Sequence, residues 1–326
     1  MRGLASALLA LLAGTLQAQF KAGTRVVEIT LVASHGDKSV TDLRAEDLRL
    51  FDNGKEQKIA SFEKVSQAPS ARASTGWTII LIDSLNTAFS DQHYGREGLS
   101  KMLRVLPPGQ QIAIAALGDT LHMLHETDDD YESLREAVDA YEGEQPLGWT
   151  PEIHQKAAAV LDPATAFYES RHILDTLKAL AQLAQYAKRY PGPRKLIWVS
   201  SAFPTQFRTG SEPSSFHTEI ADAMKKLAAA NIALYPVSPQ GLKVPNLDTL
   251  KETSEQTGGR EFALSNDVSA LIRGAMDEPK DSYLLTFVPT EYHEDGSLHE
   301  LRLKTTRKGV DLRYRPGYTD EAAPRP

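Results

Sequence analysis

The side chains best placed to do chemistry stand just after apolar runs. Asp83-Ser84-Leu85-Asn86-Thr87 follows Trp77 to Ile82, and Gly118-Asp119-Thr120 follows Gln111 to Leu117. Ser200-Ser201-Ala202 ends the run that starts at Lys195, and Ser238 follows Ile232 to Val237. If each run is a strand of one open sheet with intervening helices, these segments share its carboxyl edge, where such sheets bind ligands. A carboxylate among hydroxyls and an amide supports two kinds of chemistry. Asp83, Asn86, Thr87, Asp119, Ser200 and Ser201 can together contact a protein partner. Alternatively, Asp83 closes its own turn, accepting bonds from the Thr87 hydroxyl, from Ser200, or from backbone N–H groups just downstream.

The other reactive groups form no recognisable constellation. His122 and His125 are three apart, which on a strand puts them on opposite faces. The remaining histidines are scattered among Glu and Lys, as on a solvated surface. Asp128-Asp129-Asp130 precedes a helical pattern; acidic residues there favour a helix N-terminus, with Ca²⁺ binding as the alternative. Gly258-Gly259 lacks a third glycine at nucleotide-binding spacing and reads as a helix stop. The chain has no Gly-x-Ser-x-Gly elbow, phosphate loop or His-Glu-x-x-His. With no nucleophile–base pair, no enzyme is expected.

The elements that must position these residues fall into three regions. From Thr24 to Val65 the pattern is β: Val27, Ile29, Leu31 and Ala33 alternate, and Leu48 to Asp52 leads into Asn53-Gly54, a strong hairpin signal. Ile59 to Val65 is read as the returning strand and Ser66 to Gly76 as a linker. From Trp77 to Met276 strands alternate with helices. Helical stripes are carried by Leu99, Met102, Leu103 and Leu106; by Leu134, Ala137, Val138 and Tyr141; by Ile173, Leu174, Leu177, Leu180, Ala181 and Ala184; and by Ile220, Ala223, Met224 and Leu227. Leu247 to Gln256 and Val268 to Met276 read as further helices, and Leu121 to Leu124 as a short edge strand. Such alternation implies an α/β domain with a doubly wound, mostly parallel, Rossmann-like sheet. From Ser282 to Tyr318 strand patterning returns. The outer regions are each small, so they are expected to pair into one small β domain formed by both chain ends. The expected boundaries are 1–18 for a signal peptide, 19–76 and 279–318 for the β segments, 77–278 for the α/β domain and 319–326 for a disordered tail.

Composition narrows the partner. Acidic residues outnumber basic ones, 43 to 36, and no basic run or aromatic-interleaved basic stripe occurs, so no nucleic-acid partner is expected. Arg2 followed by the uncharged stretch Leu4 to Leu16 resembles a signal-peptide core, too short to span a bilayer comfortably, with Ala18 as the small residue before a cut. The expectation is an exported protein, periplasmic or secreted, with no transmembrane helix apart from an uncleaved signal. Without cysteine it must be held by its core alone.

Several segments resemble a known family. Leu43 to Asp52 with Asn53-Gly54-Lys55, Ile82-Asp83-Ser84-Leu85-Asn86-Thr87, Leu196 to Pro204, Ala233-Leu234-Tyr235-Pro236-Val237, Thr257-Gly258-Gly259 and Arg315-Pro316-Gly317-Tyr318 are similar, in order and spacing, to the acidobacterial-type von Willebrand factor A-related family of secreted proteins. The resemblance implies a von Willebrand factor A-like fold and a protein-interaction role. It also implies a metal-ion-dependent adhesion site of the pattern Asp-x-Ser-x-Ser, a loop Thr and a second Asp. Here Asp83 and Thr87 match. Leu85 replaces the first Ser, Ser201 replaces the second Asp, and the loop Thr is unplaced, with Thr150 a candidate. Mg²⁺ and Ca²⁺ want six or more oxygen ligands, so Asp83 and Thr87 are expected to hold either one weakly or not at all; Asp119 adds charge if its loop turns inward. Two functions are left open: an interaction module with a degenerate adhesion site, and a metal-free structural envelope protein. An unrecognised hydrolase is the third.

Overall fold

The computed structural model describes residues 26–320 apart from 37, 67–76, 108, 129, 145–159, 191–192, 202–204, 210, 246, 279–280 and 294. The expected signal segment, most of the linker and Thr150 lie outside the described residues. In chain order the first strands are β1 (Val27–His35), β2 (Lys38–Ser39), β3 (Leu48–Asp52), β4 (Lys55–Gln57) and β5 (Ile59–Ser66). The α/β region follows with β6 (Trp77–Asp83), α1 (Phe89–Leu103), β7 (Gln111–Leu117), β8 (Leu121–Asp128), α2 (Tyr131–Ala140), β9 (Val160–Leu161) and α3 (Pro163–Ala187). It continues with β10 (Arg194–Val199), β11 (Gln206–Thr209), β12 (Glu212–Ser215), α4 (His217–Ala229), β13 (Ile232–Val237), α5 (Leu247–Glu255) and α6 (Val268–Met276). The chain closes with β14 (Asp281–Phe287), β15 (Leu298–Thr305), β16 (Asp311–Tyr314) and β17 (Gly317–Thr319).

A five-stranded sheet in the order β13-β10-β6-β7-β8 forms the centre of the α/β region. The first four strands are parallel and β8 runs antiparallel at the edge. The sheet is therefore mixed, and most strand pairs elsewhere in the chain are antiparallel, so the architecture is mixed α/β. All seven residues of β6 are buried because both faces are covered. Ile79 and Leu81 pack with Leu177, Leu180 and Leu183 of α3 and Ile220, Met224 and Leu227 of α4. Ile80 and Ile82 face the opposite way, onto Leu99, Met102 and Leu103 of α1, Leu134 and Val138 of α2, and Ile272 and Met276 of α6. Each such side chain contributes about 1.5–3 kcal/mol by leaving water. This two-sided packing fixes the height of every strand end, and so the position of Asp83.

Both chain ends meet in a β layer. β1 pairs antiparallel with β14 and β16, and β14 with β5. A second sheet runs β17-β15-β3-β4. Ile29, Leu31, Leu50, Leu285, Phe287, Leu301 and Leu303 form the core between them. Asn53 and Gly54 take φ of 47° and 79° in the β3–β4 turn, the left-handed conformation this hairpin needs. Arg313 joins the layer to the α/β region, donating to the Gly258 carbonyl and to Glu278 Oε2.

Three expectations are corrected. The strand returning from Asn53-Gly54 is Lys55–Gln57; Ile59–Ser66 crosses to the other sheet and pairs with β14. The reason is local: Gln57 is buried and its amide bonds Thr290, so the chain turns inward before Ile59. Order extends beyond Tyr318, since Thr319 pairs with Leu298 and Asp320 is fully buried. The three-stranded sheet β12-β11-β9 was not expected; its strands are of four residues or fewer, too short for an alternation to show.

Candidate functional site

β6 delivers Asp83 to the carboxyl edge, and the next two residues keep the chain against β7: Ser84 and Leu85 N–H both donate to the Leu117 carbonyl. The chain then turns back on Asp83. Asn86 donates its backbone N–H to Asp83 Oδ1 at 2.9 Å and its side-chain amide to Oδ2 at 2.8 Å. From β10, Trp198 Nε1–H reaches Oδ2 at 2.9 Å, and Ser200 Oγ donates to the same oxygen at 2.8 Å. Three donors thus crowd Oδ2 and one reaches Oδ1. Burial pushes the Asp83 carboxyl up; the bonds from Asn86, Ser200 and Trp198 pull it back, and it stays above its ordinary value.

Surrounding groups extend this network. Asn86 Nδ2 also donates to Thr176 Oγ1 on α3, and Thr176 in turn donates to the His172 carbonyl. Thr87 Oγ1 accepts from Ser201 N–H at 3.1 Å. Gln92 on α1 donates its amide to the Ser84, Thr87 and Glu144 carbonyls, and its Oε1 accepts from Glu144 N–H. Loop, helix and neighbouring strand are thereby closed into one buried polar plug.

Asp83, Asn86, Thr87, Ser200 and Ser201 are brought together, each 3% exposed or less. Their expected role as direct partner contacts is corrected accordingly: side chains this deep present no surface. Asp119 stands apart. It is exposed, its N–H donates to Glu144 Oε2, and no hydrogen bond among the described residues joins it to Asp83. The arrangement also does not fit Mg²⁺ or Ca²⁺. Trp198 Nε1–H is a donor only, so a cation on Asp83 Oδ2 meets a positively polarised hydrogen, and the buried Leu85 side chain has no oxygen to offer. Among the described residues no group of three or more His, Asp or Glu is arranged to hold a metal. The histidines are engaged separately: His122 with Thr120 and His125 with Ser133. Asp130 caps α2 by accepting from Glu132 and Ser133 N–H, so the acidic run serves a helix start.

Three exposed apolar side chains stand in the connections that follow β6 and β13, where the sequence pattern did not point. Phe89, Leu242 and Leu264 are 58%, 65% and 52% exposed. Two of their loops approach closely: Gly241 lies so near Asn266 that a Cβ there would sit 2.5 Å from its Oδ1. Ser238 N–H bonds the Phe262 carbonyl, which fixes the Leu264 loop to the end of β13. Leu264 has φ of 60°, a left-handed conformation that a leucine takes at a cost. Trp198, Gln92 and Thr176 were missed as well. The signal available for Gln92 and Thr176 was a polar residue on an otherwise apolar helical stripe.

The chain is similar to von Willebrand factor A domain structures. A von Willebrand factor type A structure from Catenulispora acidiphila is 11% identical, with 90% of this chain and 73% of that one covered and a TM-score of 0.43. The conserved hypothetical protein BatB from Bacteroides thetaiotaomicron is 12% identical over 62% of this chain and 95% of its own, with a TM-score of 0.38. Proximal thread matrix protein 1 from the mussel byssus, solved with its adhesion-site motif occupied by zinc, is 10% identical over 64% of this chain and 46% of its own, with a TM-score of 0.41. Likenesses at this identity speak to fold alone. Comparison with protein families finds no match, and comparison with curated proteins finds none.

Proposed function

We propose that this chain is an exported, non-enzymatic protein-interaction module on a doubly wound von Willebrand factor A-type sheet. In this reading its adhesion site is degenerate and metal-independent: the Asp83 network is a rigid plug, and the rim of Phe89, Leu242 and Leu264 meets a protein partner. Leu264 carries the proposal. A left-handed leucine costs about 1–2 kcal/mol of backbone strain, and here the strain sets an apolar side chain out in water. Neither feature helps folding, and strained backbone concentrates at functional sites. The acidic balance and absence of basic runs favour a protein over a nucleic acid. Export rests on Arg2 and the Leu4 to Leu16 stretch; among the described residues no helix is long and apolar enough to cross a membrane.

Leu264→Gly separates folding from function. Glycine takes the left-handed conformation freely, so the unfolding free energy from urea titration is expected to hold or rise, by up to about 1 kcal/mol. Binding is expected to fall. A photo-crosslinking amino acid at position 242, used in the producing cells, is expected to give one discrete protein adduct that Leu264→Asp abolishes. The same group at Val105, equally exposed at the other end of α1, is expected to give none. Failure to form an adduct at 242, or adducts indifferent to position 264, contradicts the proposal.

A further inference from the structure

A second polar cluster lies in the β layer, away from the carboxyl edge. His299 on β15 places Nδ1 2.8 Å from Asp52 Oδ1, at the end of β3, and Nε2 3.0 Å from Asp320 Oδ2, just past β17. Nδ1 also lies 3.0 Å from the Tyr318 hydroxyl, but each ring nitrogen has a carboxylate oxygen within hydrogen-bond distance. A neutral imidazole has one N–H, so one of these contacts would set a lone pair against a carboxylate. The geometry is satisfied when both nitrogens carry protons. Tyr318 donates its hydroxyl to Asp52 Oδ2 at 2.7 Å and stacks on the His299 ring at 4.7 Å between centroids. His293 N–H donates to Asp320 Oδ2. Asp52, His299, Tyr318 and Asp320 are all buried. Meanwhile β17 is three residues long; among the described residues its strand pairing is with β15, through Leu298↔Thr319, His299↔Tyr318 and Glu300↔Gly317, and it also packs on α4.

We propose that Asp52, His299, Tyr318 and Asp320 form a proton-dependent clasp. With the imidazole doubly protonated, it holds Gly317 to Asp320 on the β layer; when that proton leaves, the segment detaches. The loss is physical: two buried carboxylates remain with no cation between them, and an uncompensated buried charge is strongly disfavoured. Burial opposes the His299 charge, yet the bonds and charges of Asp52 and Asp320 outweigh it and hold the imidazole above its ordinary 6.5. A folded value raised above the unfolded one gives a contribution fully present below about pH 6.5 and lost as pH rises through the raised value. Tyr318 keeps its proton throughout, since burial and then Asp52 push it well above the usual tyrosine range. Other charged groups around the cluster are Glu291 and His293, in the connection before β15, with Lys55 of β4 paired to Glu291, and Arg315, just before β17; α4, packed on β17, carries His217, Glu219, Asp222, Lys225 and Lys226, all exposed.

Amide hydrogen exchange of the full chain between pH 6 and 9, corrected for intrinsic rates, tests the clasp. Opening that releases one proton lowers the protection of residues 317–320 about tenfold per pH unit within the window. His299→Gln is expected to abolish that slope. Should this variant fail to fold, the His299 ring can be titrated by NMR in the wild-type chain. A midpoint above 6.5 is expected. A midpoint at or below 6.5, or protection at 317–320 independent of pH, overturns the proposal.

Discussion

Asp83→Ala is expected to lower the unfolding midpoint by about 10 °C, with or without metal. The substitution removes one acceptor group and strands four donors: Asn86 N–H, the Asn86 amide, Trp198 Nε1–H and Ser200 Oγ. A buried donor left without a partner costs about 1–3 kcal/mol. Some of the four relax toward water or one another, so about 3–5 kcal/mol is the expected total, in line with breaking a buried charged contact. For a domain of this size each kcal/mol moves the midpoint by about 2–4 °C. Asp83→Asn keeps one acceptor oxygen but turns an NH₂ group toward donors, so it is expected to fall between alanine and wild type. Thermal and urea unfolding, both followed by tryptophan fluorescence, are the measurements, because Trp198 reports from inside the network. An alanine variant within about 1 kcal/mol of wild type contradicts the plug.

Gly259→Ala is expected to have an effect of similar size for a different reason. A Cβ at this position would lie 1.8 Å from the Leu234 carbonyl oxygen and 2.7 Å from its carbonyl carbon. Both are backbone atoms of β13, which is bonded along its length to β10, so neither can step aside cheaply. Overpacking a close contact costs about 1–3 kcal/mol and more where backbone must move; the expected loss here is about 3 kcal/mol or more. Gly258→Ala has two faults, a φ of 81° and a contact of 2.7 Å to the Tyr314 carbonyl carbon, and serves as the comparison. Thermal unfolding of both variants checks the ranking. If Gly259→Ala matches wild type, Gly259 does not lie against the Leu234 carbonyl.

These two sites show what the sequence makes legible. Gly258-Gly259 reads correctly as a helix stop, because Gly258 closes α5 with positive φ and its N–H bonds the Glu255 carbonyl. That Gly259 exists for its neighbour strand is invisible, since Leu234 is remote in sequence and only packing brings it near. The apolar runs of β6, β7, β10 and β13 declare themselves because both faces are covered, and the Asn53-Gly54 turn because only such residues accept its φ. The turn at Asp83 is legible because Asn86, its nearest donor, is three residues away. Trp198 is not: inside an apolar run it reads as packing, and its N–H matters only because β10 lies beside β6. The Asp52–His299–Asp320 cluster is hidden for the same reason, its members being drawn from three separate strand ends. Leu264 is hidden differently. Its left-handed φ has no marker in the sequence, where Phe262-Ala263-Leu264 reads as a short apolar run.

Whether the carboxyl edge works without metal is decided by thermal unfolding of the chain in chelator and then in millimolar Mg²⁺ or Ca²⁺, for wild type and Asp83→Ala. The wild-type midpoint is expected to be the same in all conditions, and the variant lower by about 10 °C in each. A cation present at about 100 times its dissociation constant stabilises by about 2.7 kcal/mol. A metal-induced rise of roughly 5–10 °C in wild type, absent in Asp83→Ala, would therefore contradict the plug and restore a working adhesion site.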